Sequence, residues 1–123
     1  MTLADERRLA ALVRDAADAI TAQGFDGGIL AWNPAAERFY GYPEAAALAL
    51  NIRELIPADA WPEHERMLEV LRAGQPMEPY RTRRRTRAGR ELAVWLVPTA
   101  LLGADGKPYG LGTTERVFDE GET

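Results

Sequence analysis

A chain of 123 residues is the size of one ordinary domain, and 46% hydrophobic with 28% charged residues is the balance of a globular fold. The lack of cysteine removes disulfides, thiolate nucleophiles and thiolate-bound metal, and a single histidine, His64, removes metal sites built on two imidazoles. A net charge of -4 offers nucleic acid no overall attraction, no apolar run approaches the ~20 residues that cross a bilayer, and the first residues lack the basic-then-apolar order of a signal peptide, so a cytosolic chain without membrane or nucleic-acid partners is expected.

Residues Asp5 to Ala19 predict an amphipathic helix, with Leu9, Leu12, Val13, Ala16 and Ile20 at helical spacing and Arg7, Arg8, Arg14 and Asp15 opposite them. Ala19 to Gly24 and Ile29 to Trp32 predict two strands joined through Phe25-Asp26-Gly27-Gly28, where glycine accepts a turn at no steric cost. Asn33-Pro34 is a helix start, because the amide caps orphan N–H groups and proline at the first helical position forfeits no bond. That helix carries Phe39 and Tyr40 and stops at Gly41. Pro43 opens a short helix to Leu50, Ile52 to Ile56 a further turn, and Asp59 is expected to cap the longest internal helix, Ala60 to Ala73. Three strands follow, Pro79–Arg87, Arg90–Leu102 and Tyr109–Val117, separated by Ala88-Gly89 and by Gly103 to Pro108. Helices and strands segregated in this order predict α+β with an antiparallel sheet.

Enzyme chemistry finds little material. Serine is absent as well as cysteine, and carboxylate pairs such as Glu63 with Glu65 fall on a helix surface, so no nucleophile–base arrangement is expected and the chain reads as a non-enzyme. The arginines 81, 83, 84, 85, 87 and 90 suggest a phosphate surface at first sight, but interleaved aromatics are missing. Alternation puts Arg81, Arg83, Arg85 and Arg87 on one face and Tyr80, Thr82, Arg84 and Thr86 on the other, and the run is read as a solvated strand with carboxylate partners. Asn33 is read as a helix cap and nothing more.

Several segments resemble the PAS family: Asp18-Ala19-Ile20, Phe25 through Tyr42, Ile52-Arg53-Glu54-Leu55-Ile56-Pro57, the turns Thr86–Arg90 and Asp105–Gly110, and Thr114-Glu115-Arg116. The likeness spans about Asp18 to Val117. It implies an α+β PAS fold: a five-stranded antiparallel sheet in order 2-1-5-4-3, short helices on one face, and an N-terminal amphipathic helix. The expected division is 1–17 for the N-terminal dimerisation or linker helix, 18–118 for the PAS domain and 119–123 for an acidic tail. Gly24 stands where many members carry an acidic residue that tethers the downstream linker.

The resemblance further implies a sensory module of a larger signalling protein, such as a two-component kinase, a cyclase or a transcription regulator. Such a module binds a small ligand between helices and sheet, pairs as a homodimer and acts on an effector domain. Two alternatives stand beside that reading: a haem-based gas sensor, and a ligand-free interaction domain with a filled core. Trp61, His64, Leu68 and Leu71 share one face of their helix, and in haem-binding members the proximal histidine lies on this helix. The pocket candidates are therefore His64, Tyr80, Trp61 and Leu68, with His64 a metal ligand only if haem is bound and Tyr80 a distal donor. A structural role for His64 is the preferred reading, and the cofactor is left unknown, with haem ranked below no cofactor. The cysteinyl-adduct chemistry of light-sensing flavin members is set aside for want of a thiol.

Overall fold

Strand alternation and two proline-led helix starts account for most of the architecture of this computed structural model, which describes residues 2–117. Helix α1 (Leu3–Asp15) leads into β1 (Ala19–Gly24) and β2 (Ile29–Trp32), and α2 (Pro34–Tyr40) and α3 (Glu44–Ala47) follow. Two 3₁₀ turns, Ile52–Leu55 and Ala58–Ala60, precede α4 (Trp61–Arg72), and β3 (Tyr80–Arg85), β4 (Glu91–Leu102) and β5 (Pro108–Val117) close the fold. The strands form one antiparallel sheet in order β2-β1-β5-β4-β3, as expected. The acidic tail 119–123 lies outside the described residues.

The helix starts work as the residue types require. Asn33 caps α2 through Ala36 N–H, Pro34 sits in its first turn, and Gly41, at φ 85°, closes it in the left-handed region that a side chain disfavours. Helix α1 begins at Leu3 in a reciprocal Thr2–Asp5 capping box and ends at Asp15, short of the predicted Ala19, because Ala19 and Ile20 are taken by the sheet. The segment after Pro43 makes four helical residues where the sequence predicts eight. Asp59 is no cap: a 3₁₀ turn precedes α4, whose N-cap Ala60 offers no side chain, and Asp59 instead pairs with Arg83 of β3.

The helices cover one face of the sheet and bury two apolar clusters against it. One gathers Trp32, Tyr40, Ile52, Leu55 and Ile56 beneath the short helices. The other gathers Met67, Leu68 and Leu71 of α4 against Leu96 and Leu111. Burying each such side chain contributes about 1.5–3 kcal/mol. Register sets Glu115 beside Ala19 of the first cluster and Leu96 of the second, so a carboxylate stands at the junction of the two. Helix α1 differs from the rest: it buries no residue, and Leu3, Leu9, Leu12 and Val13 remain exposed. Among the described residues no helix is long and apolar enough to cross a membrane.

Candidate functional site

Polar side chains occupy the middle of the sheet's inner face. β1 alternates buried Ala19, Thr21 and Gln23 with half-buried neighbours, and β5 does the same with Leu111, Thr113 and Glu115. Thr21 and Thr113 face each other in register with their hydroxyl oxygens 2.8 Å apart, and Thr113 donates to Glu115 Oε1 at 2.8 Å. With the Thr113 proton committed to Glu115, the Thr21 hydroxyl donates to Thr113. The result is a short relay running from Thr21 to Glu115, with Glu115 Oε2 left over.

From the far edge, β3 sends Arg84 into the same interior. Its parity with Tyr80 and Thr82 turns it inward, and it is 2% exposed. One Arg84 N–H donates to the Arg83 carbonyl at 2.9 Å, and Nε has no partner. The expected two-face alternation holds, but the expected solvation of the run fails at Arg84. Arg83 does pair with Asp59 and Glu91 at the surface, whereas Arg84 is a core cation.

The helices complete the site. Tyr40, from the last turn of α2, is fully buried beside Glu115 and Arg84 and acts electrostatically on both, yet its hydroxyl closes no hydrogen bond of ordinary geometry with either. His64, from the first half of α4, is 2% exposed, has Trp61 edge-on at 6.2 Å between ring centres, and leaves Nδ1 unpartnered. Gln23 contributes a further unpartnered oxygen. Among the described residues, the buried side-chain atoms without a partner are thus Gln23 Oε1, Tyr40 OH, His64 Nδ1, Arg84 Nε and Glu115 Oε2.

Electrostatics follows burial. Loss of water holds His64 well below its usual 6.5, at about 4, and the Arg84 and Arg53 guanidinium groups push the same way, so the imidazole is neutral near pH 7. Burial raises the Glu115 carboxyl above the ordinary carboxylate range, opposed by Arg84, by the Thr113 hydroxyl and by Tyr40. Burial, with Glu115 behind it, also raises the Tyr40 phenol.

Each of these buried groups calls for a partner, whether protein, water or ligand. A buried polar atom without a partner costs about 1–3 kcal/mol. Five of them together approach the whole stability of an ordinary domain, about 5–15 kcal/mol.

The residues singled out in the sequence divide. His64 borders the polar site, with Trp61 half-buried against it beneath the Arg53 guanidinium. Tyr80 lies near Arg84, but its hydroxyl is spent on Met67 Sδ at 3.4 Å. Leu68 packs in the apolar cluster. Arg84, Glu115, Tyr40 and Gln23 were missed as site residues. Period-2 parity was the available signal for the three strand residues, since each shares a face with buried neighbours. Asn33 does more than cap: besides Ala36 N–H it accepts from Ile20 N–H, and it donates to the carbonyls of Val13 and Asp18. Apart from this core, an open groove of about 690 Å³ runs between α1 and the β2–α2 junction, lined by Leu9, Val13, Trp32, Pro34 and Glu37.

A family profile described as PAS fold matches residues 7–116. A PAS domain from a two-component sensor histidine kinase superposes with a TM-score of 0.77 at 21% identity, covering 95% of this chain and all of that one. A domain of a sensory box sensor histidine kinase/response regulator from Geobacter sulfurreducens gives 0.71 at 29% identity over 89% of this chain and 92% of that one. The LOV protein of Rhodobacter sphaeroides gives 0.79 at 17% identity over 99% and 71%. No curated protein matches the chain.

These neighbours correct the cofactor expectation. Several are light-oxygen-voltage proteins, a flavin-binding class, so an expectation that names haem and ranks it below no cofactor does not stand. The interior is likewise a set of hydrogen-bonding groups around Arg84 and Glu115, and His64 is one member of it. The lack of cysteine bears only on a cysteinyl adduct. With a profile covering residues 7–116 and the 2-1-5-4-3 sheet beneath short helices, this chain belongs to the PAS family of sensory signalling domains.

Proposed function

We propose that this PAS domain senses a small polar molecule held between α2, α4 and the inner face of the sheet, and that occupancy is passed to α1 and to the end of β5. The observation that carries the reading is the set of unpartnered buried atoms: five elements, β1, α2, α4, β3 and β5, each contribute one. A ligand satisfying them would draw those elements together, and differential affinity for two packings is what shifts a population. His64 is a contact in this reading, Trp61 and Tyr80 are walls, and Leu68 belongs to the floor.

The exit is supported by neighbouring bonds. Glu115 precedes Arg116, whose guanidinium holds the Asp18 carboxylate through two bonds of 3.1 and 3.3 Å. Asp18 in turn offers its carbonyl to Asn33, which also holds the Val13 carbonyl of α1. A shift of β5 therefore reaches the foot of α1 in few steps. The exposed stripe Leu3, Leu9, Leu12 and Val13 supports pairing of two chains through α1, and an effector domain that reads the geometry of the pair.

Native mass spectrometry of the purified chain, compared with the same sample denatured, tests this. The expected result is a dimer whose subunit mass exceeds the chain mass by one small molecule, released on denaturation. A subunit of bare chain mass, from protein whose interior atoms prove bridged by water, overturns the ligand reading.

A further inference from the structure

The unpartnered atoms differ in what they ask for. Arg84 Nε–H donates and carries full charge, and the Tyr40 hydroxyl can donate beside it. Glu115 Oε2 and Gln23 Oε1 accept. Arg84 and Glu115 are 2% and 1% exposed, and neither has an ion-pair partner among the described residues. A buried cation and a buried carboxyl have thus been brought into one interior without being joined.

A purely anionic ligand would meet Arg84 and set its charge against Glu115. A purely cationic one would meet Glu115 and leave Arg84 alone. Either leaves one of the two buried groups, the Arg84 cation or the Glu115 carboxyl, without a partner, the costly outcome in a low-dielectric interior. A molecule carrying both signs answers both groups, through charge-assisted bonds that are roughly twice as strong as neutral ones.

Resting on the ligand reading above, we propose that the molecule sensed is a small zwitterion of the α-amino-acid type, its carboxylate on Arg84 Nε and the Tyr40 hydroxyl and its ammonium on Glu115 Oε2. His64, neutral near pH 7 and close enough to Arg84 to feel its charge, can donate to the same carboxylate when Nδ1 carries the proton. The apolar neighbours Leu96 and Leu111 favour a ligand with an apolar side chain over one with a charged side chain.

Thermal unfolding of the full chain with each of the protein amino acids at millimolar concentration tests this. Propionate and ethylamine serve as the two halves of alanine. At least one amino acid with a small or apolar side chain raises Tm by about 5 °C or more when well above its Kd, and neither half does so. Glu115→Gln, which keeps the shape and removes the charge, weakens that amino acid at least about tenfold, the loss of one charge-assisted contact. Arg84→Lys, which keeps the charge and loses the Nε geometry, weakens it as well, so the test survives if one variant does not fold. Propionate or ethylamine acting as strongly as the amino acid, or a co-purified molecule of another chemistry, overturns the zwitterion and leaves the ligand site standing. No shift with any probe, from protein that carries no co-purified molecule, overturns both.

Discussion

The side-chain amide of Asn33, at the start of α2, donates a 2.9 Å hydrogen bond to the carbonyl of Val13 in the last turn of α1, across 20 residues of chain. The same amide group reaches the Asp18 carbonyl, while its oxygen receives Ile20 N–H and Ala36 N–H. Since α1 buries no residue, these bonds do much to orient it.

Asn33→Ala removes the cap and strands several backbone groups, and is expected to cost about 2–4 kcal/mol in urea unfolding. Asn33→Asp keeps the acceptor and turns an oxygen toward two carbonyls. Hydrogen exchange should then quicken in α1 and in the α1–β1 junction while the first turn of α2 stays protected. Equal protection of α1 in both variants and the parent would contradict this role.

His64 offers a direct electrostatic test, because it is the one histidine of the chain. Its folded value, about 4, lies below the ordinary 6.5, so it stabilises the fold fully above pH 6.5 and less as pH falls toward 4, where the unfolded chain takes up a proton first. The loss over that window is expected to be about 2–3 kcal/mol. Glu115 acts in the opposite sense: its raised value makes its contribution greatest at low pH and lost as pH rises through the folded value. An NMR titration of the imidazole should show a midpoint near 4, and His64→Gln should flatten the acid limb of the stability curve. A midpoint near 6.5 would mean the ring is in water.

Two glycines of β5 make a paired prediction. A Cβ on Gly110 would sit 2.5 Å from the Gln23 carbonyl oxygen across the β1–β5 ladder, whereas one on Gly112 would meet nothing closer than 3.7 Å. Gly110→Ala should destabilise by about 2–4 kcal/mol and Gly112→Ala by less than about 1 kcal/mol, measured by denaturant unfolding. Similar costs for both would mean that β1 and β5 do not pair this closely.

Arg84 and Glu115 should also show coupling in stability. Arg84→Met or Glu115→Leu alone leaves one buried charge and is expected to cost about 3–5 kcal/mol, while the double variant recovers a large part. Strict additivity in the double-mutant cycle would show that the two groups do not share a site.

The fold was largely legible because its signals are local. Asp26-Gly27 turns, Asn33-Pro34 and Gly41 punctuate the chain where the elements break, and β1 and β2 begin and end at the expected residues. Asp59 misled, since a good capping residue was drawn off by Arg83 from a strand more than twenty residues away. The site was harder. His64 was visible because histidine is rare here, but Arg84 was hidden among five other arginines and Glu115 in an ordinary strand end. What separates Arg84 from Arg83 is one step of the pleat, and what joins it to Glu115 is a sheet register of three strands, which no local pattern encodes.

A high-resolution crystal structure of the chain as purified would show what satisfies Arg84 Nε and Glu115 Oε2. Density for one small molecule bonded to both atoms and to at least one of Tyr40, His64 and Gln23 is expected. A direct Arg84–Glu115 ion pair, or a chain of water alone satisfying these atoms, would contradict it.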